Sequence, residues 1–138
     1  MDRSLWDREN LSAAQRFAER RQREDEAQRL AEAIPDLQSL RLAIEERRGS
    51  WSAPEGSHVR HVVVPTAPAL FLITCHDPVC RDGGHDLTAA VMRALRQRQE
   101  SFELEDHCHG RIGSADCQRV IRLIGTATYS KNNDGTSP

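Results

Sequence analysis

Four cysteines, the only ones in the chain, constrain this sequence most. They form two pairs, Cys75 with Cys80 and Cys108 with Cys117, spaced as C-x4-C and C-x8-C across a gap of 27 residues. Two pairs of thiols on separate loops are typical of a closed tetrahedral site, in which one ion links two parts of the chain. The pattern therefore predicts a structural zinc ion held by four thiolates, with no open position for catalysis.

Histidines near the cysteines offer alternative ligands for the same ion. Four of them lie close in the sequence: His76, His85, His107 and His109. Because adjacent residues seldom bind one ion comfortably, the three that adjoin a cysteine are interpreted as neighbours of the site. His85 follows a turn that contains Gly83 and Gly84, called the glycine turn below, and is the best substitute ligand. A hydrogen-bonded loop histidine before a helix nevertheless explains it more simply.

An iron–sulfur centre is the alternative interpretation of the cysteines, because a [2Fe–2S] cluster also takes four of them. From Cys75 the chain runs C-x4-C-x-x-G-G, then a predicted helix, a strand and two more cysteines. This stretch of about 50 residues resembles thioredoxin-like ferredoxins. The resemblance implies a [2Fe–2S] cofactor and a redox function. The second cysteine pair is spaced more widely here than in that family, so zinc remains the prediction.

Hydrophobic periodicity predicts two helices. The first covers residues 12–34, where Ser12 and Gln15 form a capping box and Pro35 ends the helix. The second follows Asp86, whose carboxylate can cap it. Its buried stripe should consist of four apolar residues: Leu87, Val91, Ala94 and Leu95.

Five segments have the apolar alternation or apolar runs of β-strands: residues 40–45, 59–64, 70–74, 102–105 and 120–129. The continuous apolar run at 70–74 is the best candidate for a central strand and leads directly to Cys75. The order α-β-β-β-α-β-β predicts an α+β fold: a small, mainly antiparallel sheet with one packed helix, a four-cysteine metal staple and an N-terminal helical extension. The β-α-β step could supply one parallel strand pair.

These elements divide the chain into three parts. Residues 1–36 form the N-terminal helical extension, residues 37–130 the metal-stapled α+β domain, and residues 131–138 a polar tail that we expect to be disordered. The middle of the extension, residues 19–26, has no apolar residue and should be solvated on all sides. We therefore expect residues 1–26 of the extension to be separable from the domain, so that a chain starting near Ala27 still folds.

Charge and hydropathy argue against membrane association. The formal net charge of −2 gives no overall attraction to membranes or nucleic acid. No stretch reaches the roughly 20 apolar residues of a membrane helix, and the charged N-terminus does not have the apolar run of a signal peptide. We therefore expect a cytoplasmic protein, in which reduced thiols bind metal rather than forming disulfides.

The sequence favours binding over catalysis. Asp82, His85 and Asp86, around the glycine turn, are more simply explained as turn and capping residues than as an acid–base or metal cluster. Thiol redox chemistry prefers a C-x-x-C motif, which the sequence does not contain. We therefore expect a non-catalytic, zinc-stabilised binding or adaptor protein with a protein partner, and a redox protein as the alternative.

Nucleic acid is a further partner to consider. Arginines near the second helix and the cysteine loops could contact phosphates if they share one face: Arg93, Arg96, Arg111, Arg119 and Arg122. Acidic residues in the same region would offset their charge: Glu103, Glu105, Asp106 and Asp116. Segregated arginines would favour contact with a phosphate backbone, whereas interleaved ones would form an ordinary solvated surface.

Overall fold

The computed structural model describes residues 15, 18–49, 51–77, 79–80 and 83–130. These residues form a mixed α/β fold with a four-stranded antiparallel sheet, two small two-stranded sheets and three helical segments. In chain order the elements are α1 (residues 18–26), α2 (Leu30–Ala33), β1 (Leu37–Arg47), β2 (Pro54–Val62), β3 (Leu72–Ile73), β4 (His85–Asp86), α3 (Thr88–Arg96), β5 (Ser101–His107), β6 (Arg111–Ile112), β7 (Ala115–Asp116) and β8 (Val120–Tyr129).

The four-stranded sheet has the order β2-β1-β8-β5, so β1 and β8 are its central strands. Side chains alternate between its two faces because the period of a strand is two residues. Leu40, Leu42 and Ile44 of β1 and Leu123 of β8 are buried on one face, while the residues between them are partly or fully exposed. One face of this sheet therefore forms the floor of the hydrophobic core.

Helix α3 covers this core face. Val91 and Leu95 are completely buried, which confirms the predicted apolar stripe, whereas Arg93 and Arg96 point to solvent. The start of the helix is held by Asp86, whose Oδ1 accepts a hydrogen bond from the backbone N–H of Thr88 at 3.1 Å. These contacts place the loop that precedes α3, and with it the glycine turn, at one end of the core.

Glycine at position 125 allows β5 to pack closely on β8. Gly125 lies opposite Phe102, and a Cβ atom at position 125 would come within 2.2 Å of the Phe102 ring. The absence of a side chain here lets the ring fill the core beside β8.

We expect the substitution Gly125→Ala to lower the free energy of unfolding by about 1–3 kcal/mol, the usual cost of overpacking a core. Urea unfolding measures this change. Thr126→Ala, at the exposed neighbouring position, is the control and should change stability by about 0.5 kcal/mol or less. The double substitution with Phe102→Leu should recover part of the loss. Equal stability of Gly125→Ala and the original chain would contradict this packing argument.

The predicted central strand at residues 70–74 is wrong. Only Leu72–Ile73 is extended and paired, and it pairs with His85–Asp86 in a separate two-stranded sheet. The run is apolar because Phe71 and Ile73 are buried against the core, not because it lies inside the large sheet. The pairs of strands that the structure describes are all antiparallel, so the parallel pair expected from the β-α-β step does not occur among them.

The predicted continuous N-terminal helix is also wrong in part, because the chain leaves the helical path at residues 27–29. There the backbone pairs with residues 67–69: Arg29 forms a bridge with Pro68, and the Leu30 N–H donates to Ala67 O at 2.8 Å. These bonds replace those that a continuous helix would make. The short helix α2 then buries Leu30 and Ile34 in the core. The capping box at Ser12 and the tail 131–138 lie outside the described residues.

Candidate metal centre

The four cysteines come together at one end of the core. Their Sγ atoms all lie within 4.8 Å of one another. The Sγ atoms of Cys75 and Cys117 are 3.9 Å apart, and those of Cys80 and Cys108 are 3.6 Å apart. A tetrahedral ion with metal–sulfur bonds of about 2.3 Å would hold its ligands about 3.8 Å apart. The separations therefore fit one four-coordinate ion.

Each cysteine follows a strand or ends a turn that leads to the cluster. Cys75 follows β3 and Cys80 ends a turn in which its N–H donates to Asp77 O at 3.1 Å. Cys108 follows β5 directly, and Cys117 lies between β7 and β8. The cluster therefore joins the ends of strands from three different sheets, through β3, β5 and β7.

A small hairpin explains the wide C-x8-C spacing. Strands β6 and β7 pair through Arg111 with Asp116 and Ile112 with Ala115, and Gly113 turns between them with a φ of 64°. The ends of the hairpin are held by two backbone bonds, from Cys117 N–H to Gly110 O and from Cys108 N–H to Arg119 O, each 2.9 Å long. The hairpin takes up the intervening residues, so the two cysteines remain neighbours.

Backbone donors and a glycine shape the space around the sulfurs. The N–H groups of Gly84 and Gly110 donate to Cys108 Sγ at 3.3 and 3.4 Å. A Cβ at Gly83 would lie 2.3 Å from Cys80 Sγ and 2.7 Å from Cys108 Sγ. The glycine turn therefore lets the backbone approach the cluster closely.

The thiol pKa values diverge across the cluster. Burial raises the pKa of Cys75 to about 12, and burial together with the neighbouring thiols also raises the pKa of Cys80. Burial acts in the same direction on Cys108, but the N–H donors of Gly110 and Gly84, together with the thiols of Cys80 and Cys117, more than offset it, so the pKa of Cys108 is lowered. Cys108 is thus better prepared to carry negative charge than Cys75 or Cys80.

We expect zinc affinity to rise with pH. At pH 7 the thiols of Cys75 and Cys80 are protonated, and they must lose their protons to bind an ion. The zinc affinity also rises with pH if the metal-free chain is unfolded, because the ordinary thiol pKa of about 8.5 lies above 7 as well. Competition with a chromophoric chelator between pH 6.5 and 8 should show at least two protons released per ion, because Cys75 and Cys80 must both lose theirs. An affinity independent of pH would contradict thiolate ligation.

An ion-pair network connects the two cysteine loops with the large sheet. Arg119, two residues after Cys117, contacts the carboxylates of Glu46 at 3.4 Å, Glu55 at 3.1 Å and Asp77 at 4.0 Å. Burial lowers the pKa of Arg119, but these carboxylates raise it by more, so the guanidinium stays charged. The network therefore fixes the loop after Cys75 relative to the loop before β8.

Glu46 also holds the chain that follows Cys75. Its carboxylate is only 9 % exposed and lies 2.6 Å from His76 Nδ1, and it accepts a bond from the His76 N–H at 3.3 Å. Nothing in the sequence indicated Glu46, and the sequence suggested Arg119 only as a possible phosphate contact. Their separation of 73 positions leaves no local signal, and only the position of Arg119 close to Cys117 could have drawn attention to it.

His85, the substitute ligand considered above, is not part of the sulfur cluster. Its buried ring lies with Nδ1 2.7 Å from Asp106 Oδ2, and its Nε2 has no hydrogen-bond partner in the part of the chain that the structure describes. The simpler explanation, a hydrogen-bonded histidine before the helix, describes this geometry. His76, His107 and His109 also lie outside the cluster.

The other candidate residues have ordinary contacts. Asp86 pairs with Arg23 at 3.2 Å, and Asp82 lies outside the described residues. Three of the five arginines suggested as a basic face contact carboxylates: Arg111 with Asp116, Arg119 with its network, and Arg122 with Glu103 at 2.5 Å. Basic and acidic side chains therefore interleave at these three positions.

The fold and site together define this chain as a mixed α/β protein with a four-cysteine cluster that could hold a metal ion. Comparison with protein-family models, with curated proteins and with solved structures finds no match. No helix within the described residues is long and apolar enough to cross a membrane.

Proposed function

We propose that this protein is a non-catalytic binding or adaptor module whose fold is stabilised by one zinc ion on Cys75, Cys80, Cys108 and Cys117. The observation that carries the proposal is the convergence of four sulfurs within 4.8 Å. Four thiolates saturate a tetrahedral ion and leave no position for water or substrate. A structural role follows, and the function then depends on the surfaces that the ion stabilises.

The sulfur separations support zinc over a [2Fe–2S] cluster. A two-iron cluster holds its ligand pairs on separate irons, so sulfurs of different pairs lie farther apart than the ligands of a single ion. All four Sγ atoms lie within 4.8 Å of one another however they are paired, and the separations of 3.6 Å for Cys80 with Cys108 and 3.9 Å for Cys75 with Cys117 fall inside this limit. They also exceed the S–S bond length of about 2.05 Å, as expected for reduced thiols in the cytoplasm.

An exposed aromatic residue supports a binding role. Trp51, in the turn between β1 and β2, has 74 % of its surface exposed. It lines a cleft of about 550 Å³ together with Ile112, Arg48 and Arg119. Tryptophan and arginine are enriched where proteins bind one another. The cleft borders Cys117, so an ion on the four cysteines would hold one of its walls in place.

Elemental analysis of the purified protein, with its visible spectrum, tests the proposal. The expected result is about one zinc ion per chain and no absorbance above 300 nm. Iron and a brown colour would overturn zinc and support the redox alternative. Protein that folds without either metal would overturn both. His109→Ala, which removes an exposed histidine next to Cys108, is the matched control and should retain the zinc.

A further inference from the structure

Strand β2 is a long edge strand with an open outer side. It covers nine residues, Pro54–Val62, and it pairs only with β1 among the described strands. The side chains of residues 54–61 are all exposed. An edge of this kind presents a row of unpaired backbone N–H and C=O groups, which is the usual template for an added strand.

A cavity of about 190 Å³ lies beside this edge, on the core face of the sheet. Ile44, Ile73 and Ile121 give it a mainly apolar lining, and the paired side chains of Glu46 and His76 also line it. Gly56 and His58 of β2 form its outer rim. A Cβ at Gly56 would meet nothing within 4 Å, so the missing side chain leaves the space next to the cavity open.

Two arginines and two histidines lie around the same edge. Arg60 and His58 lie on the cavity side, because they pair in register with the buried residues of β1, while Arg41 and His61 face each other on the opposite side. None of the four has an acidic partner among the residues described. By contrast Glu55, at the start of β2, is neutralised by two arginines.

We propose that β2 and this cavity accept an extended, acidic segment of a partner protein, which adds a fifth strand to the sheet and places one apolar side chain in the cavity. The inference rests on the proposed binding function and names the chemistry of the partner. Every second side chain of an added strand lies on the core face. One such side chain would reach the apolar cavity past Gly56, and its carboxylate neighbours would meet Arg60 and Arg41.

A second copy of this chain fits the edge less well. Antiparallel pairing of β2 with its own copy, centred on Arg60, would place the two Arg60 side chains opposite each other, and like charges on facing strands are destabilising. An acidic segment has the charge complementary to Arg41 and Arg60, which form no ion pair with another of the described residues.

Selection from a displayed library of random 12-residue peptides tests the proposal on the zinc-loaded full chain. The expected peptides have an alternating pattern of side chains. They are rich in Asp and Glu and share one apolar position. Their affinity should fall as salt is added. Arg60→Glu should weaken binding about tenfold or more, because it places like charges in contact, and Gly56→Phe should abolish it by covering the cavity. Arg96→Glu, the same charge change on exposed α3, should have no effect. All three variants must retain zinc and a cooperative melt.

Three results would overturn the proposal. The first is a selection that enriches no peptide on the original chain over Arg60→Glu and Gly56→Phe. The second is a set of peptides that bind all variants equally. This result would support a binding function but place the binding site on another surface. The third is concentration-dependent self-association that Arg60→Glu or Gly56→Phe alters, which would assign the edge to a second copy. The metal content is measured separately, so failure of the zinc proposal is distinguishable from each of these.

Discussion

Removal of the metal should unfold the domain. A structural zinc ion contributes about 10–16 kcal/mol of apparent binding free energy in small proteins, which exceeds the typical net stability of about 5–15 kcal/mol. In this chain the four ligands join the ends of β3 and β5 with the loop before β8. Without the ion, the contacts described for those ends are a few backbone bonds, the Arg119 network and the pairing of Glu46 with His76.

Chelation followed by amide proton NMR measures this effect, and the expected result is collapse of the native signal dispersion. Cys117→Ser should have the same outcome without chelator, because three ligands do not close the site. His109→Ala controls for changes next to a cysteine and should melt like the original chain. A fully chelated protein that keeps its native spectrum would contradict the structural role of the ion.

Substitution of Arg119 should produce the second largest loss of stability. Arg119→Met keeps most of the apolar stem but leaves Glu46, which is nearly buried, without its guanidinium partner. Removal of one member of a buried pair costs about 3–5 kcal/mol, and the 16 % exposure of Arg119 places the expected loss near the lower end, at about 3 kcal/mol. The zinc affinity should fall as well, because the same side chain fixes both cysteine loops.

Arg122→Met is the matched control for this prediction. Arg122 pairs with Glu103 on the exposed surface, where solvent screens the attraction, so its loss should leave stability almost unchanged. Thermal and urea unfolding of both variants in the presence of zinc provide the comparison. Equal stability of Arg119→Met and Arg122→Met would show that the network does not support the cysteine loops.

Local periodicity explains which parts of the fold were predictable. The alternation in residues 120–129 predicted β8 with the bounds Val120–Tyr129 that the structure has, and the stripe through Val91 and Leu95 predicted α3. An apolar run such as residues 70–74 cannot distinguish an inner strand from a segment lying on the core, because apolar side chains are buried in both. That ambiguity produced the wrong central strand.

The candidate site likewise has one part that the sequence predicts and another part that it does not. The cysteine pairs predicted which side chains would meet, since thiols in this arrangement have few other uses. The supporting contacts could not be predicted, because Glu46 and Arg119 come together only through the pairing of β1 with β8. The break after residue 26 likewise depends on the backbone of residues 67–69, which no local pattern near Arg29 reveals.

The hairpin between Cys108 and Cys117 lets the length of this loop change without moving the sulfurs of the two cysteines. Backbone bonds at its base fix the two cysteines, while Gly113 and Ser114 at its tip are exposed to solvent. Residues inserted in pairs at the tip would lengthen β6 and β7 and leave the sulfurs where they are. Related chains can therefore carry very different numbers of residues between the last two cysteines, and a search by fixed cysteine spacing would overlook them.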